Sequence, residues 1–316
     1  MERHTHRIYC CKIGCKGGVL LTASQCGKIL VYDGLGKRLQ KSIVCRSLGW
    51  SVLDMDISRD ERFCAYSSWT HNVQLCKLAD SSHEEMCLDL GFHAGIFQVH
   101  FNHVTSHLLA AVNHGYIVYQ DIETKKKLLH IRAHVEDVNS TCFVDAQSDN
   151  LIASAADDNF IRIWDRRVNG GCSERDKPVP VACLQGHLSG ITCINSKGDG
   201  NWLLSNGKEG NMLLWDLRKY GGSSGCSRYP LVCCFTGHEV KTTLIRCGFS
   251  SEEGTGQRFV YSGSSDGSTF IWDVESGNRV AILPGHRELV RECSWHPFLP
   301  QLVTSSWDGT VAVWEP

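Results

Sequence analysis

Three stretches of the chain each carry a histidine, a serine or threonine, an aspartate and a tryptophan in the same order. Serine, histidine and aspartate are the residues of a hydrolase triad, in which the histidine accepts the proton of the serine hydroxyl. A catalytic group of this kind occurs once in an enzyme, whereas here near-copies recur along the chain. The recurrence predicts a structural role, and we expect no enzymatic activity. The three sets are His134, Ser154, Asp158 and Trp164; His238, Ser262, Asp266 and Trp272; and His286, Thr304, Asp308 and Trp314.

The chemistry expected of each set is a hydrogen-bond relay. The carboxylate bonds the imidazole, the imidazole bonds the hydroxyl, and the hydroxyl accepts a hydrogen bond from the indole N–H. Every buried polar group then has a partner, which matters because an unpaired one costs about 1–3 kcal/mol. A fourth set contains His187 and Ser205, with Glu209 at the position of the aspartate.

The spacing of the strand endings predicts the elements that position these residues. Such endings recur about every 45 residues, which is close to the period of a propeller blade. Between them apolar and polar residues alternate, as in β-strands. We therefore predict an all-β fold, a single seven-bladed β-propeller over residues 1–316. Its repeats end near residues 33, 77, 121, 165, 216, 273 and 315.

The last blade is expected to lack its outer strand. The sequence stops at Trp314-Glu315-Pro316, directly after a third strand, and polar residues precede the first strand near Ile8. Two explanations are open. Either the sequence is a fragment or an isoform, or the ring is closed by a three-stranded blade that leaves one edge unpaired.

Composition narrows the expected partners and location. The net charge is -2 and the isoelectric point is about 6.7, so we expect no nucleic-acid partner. The sequence has no apolar run of about eighteen residues and no apolar signal-peptide region, so we expect no membrane partner. A cytoplasmic or nuclear location follows as the prediction.

The 17 cysteines raise the question of disulfides or a zinc site. No Cys-x-x-Cys pair occurs, so we expect free thiols in a reducing compartment, no metal and no cofactor. Cys172 and Cys226 lie in polar loops and are the expected exposed thiols. Four others recur at one strand position, where a cysteine serves as a small buried hydrophobe: Cys142, Cys193, Cys247 and Cys293.

Two successive repeats end in Trp-Asp-x-Arg, as Trp164-Asp165-x-Arg167 and Trp215-Asp216-x-Arg218. Because both arginines follow the third strand, we expect them side by side on the face opposite the histidines. Guanidinium groups offer several directed donors, which suits recognition of carboxylates or carbonyls on a partner. The alternative is that each arginine only pairs with a nearby acid, as many surface arginines do.

These endings resemble the motif of WD-repeat proteins that dock on the DNA-damage-binding adaptor of cullin-4 RING ubiquitin ligases. Residues 48–54, 186–199, 243–247, 255–263 and 294–298 are also similar to one member of that family, and the similarity covers nearly the whole chain. The resemblance implies a WD-repeat propeller that is a non-catalytic substrate receptor. It would bind the adaptor through six residues, Trp164, Asp165, Arg167, Trp215, Asp216 and Arg218.

The receptor would hold an unknown target protein elsewhere on the ring, so that the target is ubiquitinated. Trp69 and Trp307 precede turns on the histidine face and Trp50 lies at the same end, and we expect these three residues to form the target-binding surface. The alternative is that each ring packs into its own blade. For the whole protein, the alternative function is a general WD-repeat scaffold of another complex, with the two arginines structural.

Overall fold

The strands form seven antiparallel sheets, six with four strands and one with three, each built from consecutive strands. The computed structural model describes residues 4–34, 36, 38–78, 85–91, 95–169, 178–220, 230–241 and 243–315. The first strands of neighbouring sheets contact one another and line a central axis. The prediction of an all-β, seven-bladed propeller is confirmed. Among the described residues, no helix has the length and apolar character needed to cross a membrane.

Blades one to four contain strands β1 to β16, four in each blade. In chain order these strands are Ile8–Ile13, Val19–Ser24, Lys28–Asp33, Leu39–Val44; Asp54–Ile57, Phe63–Ser67, Asn72–Lys77, Glu85–Asp89; Ile96–Phe101, His107–Val112, Tyr116–Asp121, Lys127–Arg132; and Val138–Asp145, Ser148–Ala156, Phe160–Asp165, Ala182–Gln185.

Blades five to seven contain strands β17 to β27. These are Ile191–Ser196, Trp202–Gly207, Met212–Asp216, Leu231–Phe235; Cys247–Phe249, Phe259–Gly263, Ser268–Asp273, Arg279–Pro284; and Val290–Trp295, Leu302–Ser306, Val311–Trp314. Short helical segments lie in the connections: α1 (Arg166–Asn169), α2 (Glu252–Thr255) and the 3-10 turns Asn113–Gly115 and Leu217–Lys219.

The core lies between neighbouring sheets, and the tryptophans that end third strands are its largest members. Trp164 belongs to the same buried cluster as Leu109 of blade three. Trp215 packs with residues of blade four, and Trp272 with residues of blade five. Each of these blades is thus attached to the one before it by a buried indole, a large apolar contribution to stability. The described cysteines are free thiols, whereas Cys172 and Cys226 lie outside the described residues.

Blade seven has three strands in the described part of the chain. Its third strand, β27, is only half-buried along its length, whereas the third strand of blade five is buried throughout. The ring is closed where β1 packs against β25, and Ile13 N–H donates to Ser294 Oγ at 3.0 Å. The outer side of β27 therefore leaves a strand edge open among these residues.

The expected relay forms in blades four, five and seven. In blade four, Trp164 Nε1–H donates to Ser154 Oγ at 2.8 Å, Ser154 lies 2.7 Å from His134 Nε2, and His134 Nδ1 lies 2.9 Å from Asp158. Since the carboxylate only accepts, Nδ1 carries the proton and the serine hydroxyl donates to Nε2. Burial favours the neutral form of Asp158, but hydrogen bonds from His134 and Arg162 outweigh burial and hold its pKa below the usual range.

Blades five and seven repeat this geometry with small changes. In blade five, Trp215, Ser205 and His187 are joined by bonds of 2.7 and 2.6 Å, and Glu209 takes the place of the aspartate. In blade seven, Trp314 and His286 both bond Thr304, at 2.9 and 2.8 Å. There Thr310 lies between the imidazole and Asp308, with His286 Nδ1 2.9 Å from its hydroxyl.

The relay expected in blade six was wrong. His238 Nε2 donates to Asn206 Oδ1 at 2.8 Å, and Asn206 Nδ2 donates to Ser262 at 3.2 Å, so an amide from blade five replaces the direct bond. Ser262 donates to the Gly263 carbonyl, and Trp272 instead contacts His238 edge-on at 5.4 Å. Asp266 is exposed and accepts from Ser268 N–H. Asn206 can intervene because it stands where blade four has the small residue Ala155.

Blade one contains a partial relay that the sequence pattern did not indicate. His4 Nε2 lies 3.0 Å from Thr22 Oγ1, and Thr22 occupies the strand position of Ser154. The third strand of this blade has Tyr32 at the position of Trp164, so a phenol replaces the indole member of the set. His4 follows an arginine in the sequence, without the glycine that precedes His187, His238 and His286.

Removal of the relay hydroxyl should cost more in blade four than in blade six. Ser154→Ala leaves both Trp164 Nε1 and His134 Nε2 without a partner, and we expect a loss of about 2–3 kcal/mol in the free energy of unfolding. Ser262→Ala removes a hydroxyl that bonds Asn206 and Gly263 only, and we expect a loss of about 1 kcal/mol. Chemical denaturation of the two variants measures the difference. Equal losses would show that the relay does not stabilise blade four.

Stability should fall as the pH is lowered from about 6.5 to 4. Burial lowers the pKa of His238 to about 4 from the ordinary value of 6.5, and its Nδ1 has no partner among the described residues. The unfolded chain therefore binds a proton in this window that the folded chain does not, so stability is full above pH 6.5 and is lost toward pH 4. In His238→Gln, the slope of unfolding free energy against pH should decrease by about 1.4 kcal/mol per unit. An unchanged slope would contradict this assignment.

Candidate functional site

Both Trp-Asp-x-Arg endings place an aspartate at the start of a short helical turn. Asp165 is the last residue of β15 and α1 follows it, while Asp216 is the last residue of β19 and precedes a 3-10 turn. Each carboxylate accepts from the backbone N–H two residues later, at 2.8 Å from Arg167 and 3.1 Å from Arg218. This capping hydrogen bond begins the helical turn and brings the side chain of the same arginine close to the carboxylate.

The two arginines adopt the same bidentate geometry, which we call the Asp–Arg fork. Arg167 donates from Nε to Asp165 Oδ1 at 3.0 Å and from Nη2 to Oδ2 at 2.7 Å. Arg218 donates from Nε to Asp216 Oδ1 at 2.9 Å and from Nη2 to Oδ2 at 3.0 Å. The match of a planar fork to a carboxylate fixes the plane of each guanidinium.

The outer edge of each fork faces solvent. The side chains of Arg167 and Arg218 are 66% and 58% exposed, whereas Asp165 and Asp216 are buried. Within the described residues, no hydrogen-bond partner reaches Nη1 of either arginine. The hydrogen bond from each arginine holds the pKa of its aspartate below the usual range, so both members are charged at neutral pH. The forks thus offer fixed, unused donors on two adjacent blades.

The forks lie on the face opposite the relay. His134 and Asp158 meet at the beginning of β15, while Asp165 ends that strand. Six residues of strand span roughly 20 Å, which separates the two faces. The helix α2 of blade six lies in the connection between its first two strands and therefore on the fork face.

The three candidate tryptophans line one cleft of about 370 Å³ at the relay-face mouth of the central axis. Trp50 and Trp69 are 54% and 49% exposed, and Trp307 is half-buried. Tyr9 lies between Trp50 and Trp307, with ring centroids 5.4 and 5.6 Å away. Trp69 contacts Phe97 edge-on at 5.3 Å. The structure therefore brings these three residues together and leaves two of the rings accessible.

The opposite wall of this cleft is charged. It contains Asp137, Asp157, Lys208 and Lys241, and Lys208 Nζ lies 2.6 Å from Asp157. One side of the mouth thus offers aromatic rings and the other offers both signs of charge. Such a surface suits a protein segment with an apolar anchor beside polar groups.

A buried ionic cluster lies along the axis beneath the cleft. Arg246 Nη2 is 3.4 Å from Asp54 Oδ1 and donates to the Phe97 carbonyl at 3.0 Å, while Arg291 Nη2 donates to the Leu53 carbonyl at 2.9 Å. Sequence patterns did not indicate this cluster. Its signal was the presence of charged residues in the innermost strands, where apolar residues are expected.

The same cluster contains a group of possible metal ligands. Cys10, Asp54 and Glu292 have ligand atoms within 4.8 Å of one another. Burial raises the pKa of the Cys10 thiol well above its usual value, and burial with the nearby Asp54 charge raises the pKa of Glu292 to about 7. A protonated thiol next to two guanidinium groups is a poor cation site. The contacts that the structure shows for this group are the ion pair of Asp54 with Arg246 and an approach of Arg291 Nη1 to the Cys10 sulfur at 3.7 Å.

Comparison with known proteins identifies the family. A model described as WD domain, G-beta repeat matches residues 125–165, 178–216 and 277–315. LEC14B protein of Lithospermum erythrorhizon is 34% identical, over 100% of this chain and 74% of the relative, and a LEC14B homolog of Prunus armeniaca is 35% identical, over 100% and 73%. A DDB1- and CUL4-associated factor 11 homolog of Caenorhabditis elegans is 32% identical, over 99% and 62%.

The chain belongs to the family of LEC14B, it contains WD repeats, and it is similar to the DDB1- and CUL4-associated factor 11 homolog. Two of the matched WD-repeat stretches end at Asp165 and Asp216, the aspartates of the two forks. The aspartate of each fork is therefore the last residue of a matched WD repeat, and the arginine lies two residues beyond it.

Proposed function

We propose that this chain is a non-catalytic substrate receptor, which docks on the DNA-damage-binding adaptor of a cullin-4 RING ubiquitin ligase and presents a target protein for ubiquitination. The observation that carries the proposal is the pair of Asp–Arg forks, which have the same bidentate pattern and lie on one face of two adjacent blades. The names of the DDB1- and CUL4-associated factor 11 relatives support the choice of partner.

The forks suit an adaptor contact because their orientation is fixed before binding. Each guanidinium is already held by its aspartate, so little side-chain freedom is lost when a partner's carboxylate or carbonyl accepts from the outer edge. In the proposed role Trp164 and Trp215 anchor the strands, Asp165 and Asp216 orient the guanidinium groups, and Arg167 and Arg218 contact the adaptor.

The target protein is proposed to bind at the tryptophan cleft on the other face. Trp50, Trp69 and Trp307 supply the apolar contact there, and the two partners can bind together because the faces are separate. The receptor then acts by proximity, since it raises the local concentration of target lysines near activated ubiquitin. The partners in this proposal are proteins, and the cytoplasmic or nuclear location stays a prediction.

The second candidate is a general WD-repeat scaffold in which the arginines are structural. It is favoured by one observation, that both arginines pair with an aspartate of their own repeat. In that case the loss of the arginines should lower the stability of the ring and leave partner binding unchanged. The two candidates are therefore distinguished by one set of variants.

The double variant Arg167→Ala/Arg218→Ala should weaken binding to the purified adaptor by more than about tenfold, because both outer edges are lost. Its melting temperature should fall only slightly, because each buried aspartate keeps its hydrogen bond from the backbone N–H two residues later and the removed guanidinium groups are more than half exposed. Titration calorimetry measures the affinity and thermal denaturation measures the fold. Arg167→Lys/Arg218→Lys keeps the charge without the planar fork and should give an intermediate loss.

The matched control is Trp50→Ala/Trp69→Ala, which removes two exposed side chains from the opposite face. This variant should bind the adaptor like the unmodified chain. Undiminished adaptor binding by the double alanine variant at the forks would overturn the receptor proposal. Lowered stability with full binding would favour the scaffold.

A further inference from the structure

Blade six has a Trp-Asp ending without the arginine two residues later. Trp272 and Asp273 end β23, and Glu275 stands where blades four and five have Arg167 and Arg218. The Asp273 carboxylate is nevertheless paired with an arginine, because Arg258 Nε donates to Asp273 Oδ2 at 2.6 Å. In blade six the guanidinium therefore comes from a residue that precedes the aspartate in the chain, rather than from one that follows it.

Strand pairing explains why Arg258 lies next to Asp273. Phe259, the first residue of β22, pairs with Asp273, so Arg258 lies just beyond the end of β23. The corresponding positions in blades four and five, one residue before the strand partners of Asp165 and Asp216, are Asn150 and Asn201. In blade six the other carboxylate oxygen, Oδ1, accepts from the backbone N–H of Glu275 at 2.9 Å.

Arg258 resembles Arg218 in its exposure and in its aromatic contact, although one hydrogen bond rather than two holds it to its aspartate. Its side chain is 58% exposed, as is that of Arg218, and its aspartate is buried. Arg258 lies 5.6 Å over the Phe259 ring, and Arg218 lies 5.2 Å over Trp202, which holds the same strand position as Phe259. Among the described residues neither Nη1 nor Nη2 of Arg258 has a hydrogen-bond partner, so it offers more unused donors than either fork.

We propose that Arg258 is a third adaptor contact, so that the docking surface covers three consecutive blades, four to six. The inference rests on the proposed function and deepens it. The surface of the adaptor that contacts blade six must supply a carboxylate or carbonyl acceptor for Arg258. Glu252 and Glu253 of α2 are exposed on this face, so the adaptor must also place neutral or basic groups beside that acceptor.

The test is the affinity of full-length variants for the purified adaptor. Arg258→Ala should weaken binding about three- to tenfold, and Arg258→Glu should weaken it further, because a like charge then faces the acceptor. Arg258→Lys keeps a cation on Asp273 without the guanidinium donors and should give a loss smaller than that of the alanine variant. A thermal melt of each variant shows whether the fold is retained.

Two matched controls separate a specific contact from a general effect of charge. Arg62→Ala removes an exposed arginine that pairs with its own Asp60 in the connection between the first two strands of blade two, on the fork face. Arg287→Ala removes an exposed arginine on the relay face of blade seven. Both variants should bind like the unmodified chain.

The outcomes distinguish this inference from the proposed function. Full binding by Arg258→Ala, together with weak binding by Arg167→Ala/Arg218→Ala, would overturn the third contact and leave the receptor proposal intact. Full binding by all of these variants would overturn both. A loss with Arg62→Ala equal to that with Arg258→Ala would show a general charge effect and would also overturn the third contact.

Discussion

A carboxylate buried at the end of a β-strand needs hydrogen-bond donors or a cation, because an unpaired buried charge is strongly unfavourable. Asp165, Asp216 and Asp273 are each in this position. In all three cases backbone N–H groups satisfy one part of the carboxylate and an arginine satisfies another. The arginine is therefore held in place by the strand end. A requirement of the fold thus produces an ordered row of guanidinium groups at the surface.

The two ends of each third strand have different roles. At one end the relay pairs the polar groups around Trp164, Trp215 and Trp314, and this keeps the blades assembled. At the other end the aspartates present arginines to solvent. Because the relay face also contains the tryptophan cleft, the proposed function assigns the adaptor and the target protein to opposite faces of the ring.

The repeat pattern was sufficient to predict the fold, because the period and the strand endings are local properties of the sequence. It failed where a contact crosses between repeats. In blade six Asn206 comes from the preceding blade and displaces the bond from His238 to Ser262. The ion pair of Arg258 with Asp273 could not be predicted for a related reason, because Asp273 lies on a neighbouring strand and only the strand register brings the two residues together. Motifs of fixed spacing cannot show either contact.

The central claim is that the fork face binds the adaptor. Hydrogen–deuterium exchange of the full chain, with and without saturating adaptor, tests it most directly, because exchange reports the face that is covered. The account predicts slower exchange in α1 (Arg166–Asn169) and in the turn Leu217–Lys219, with no change in the relay-face turns around Asp158 and Glu209. Protection of the relay-face turns, with unchanged exchange at both forks, would contradict the account.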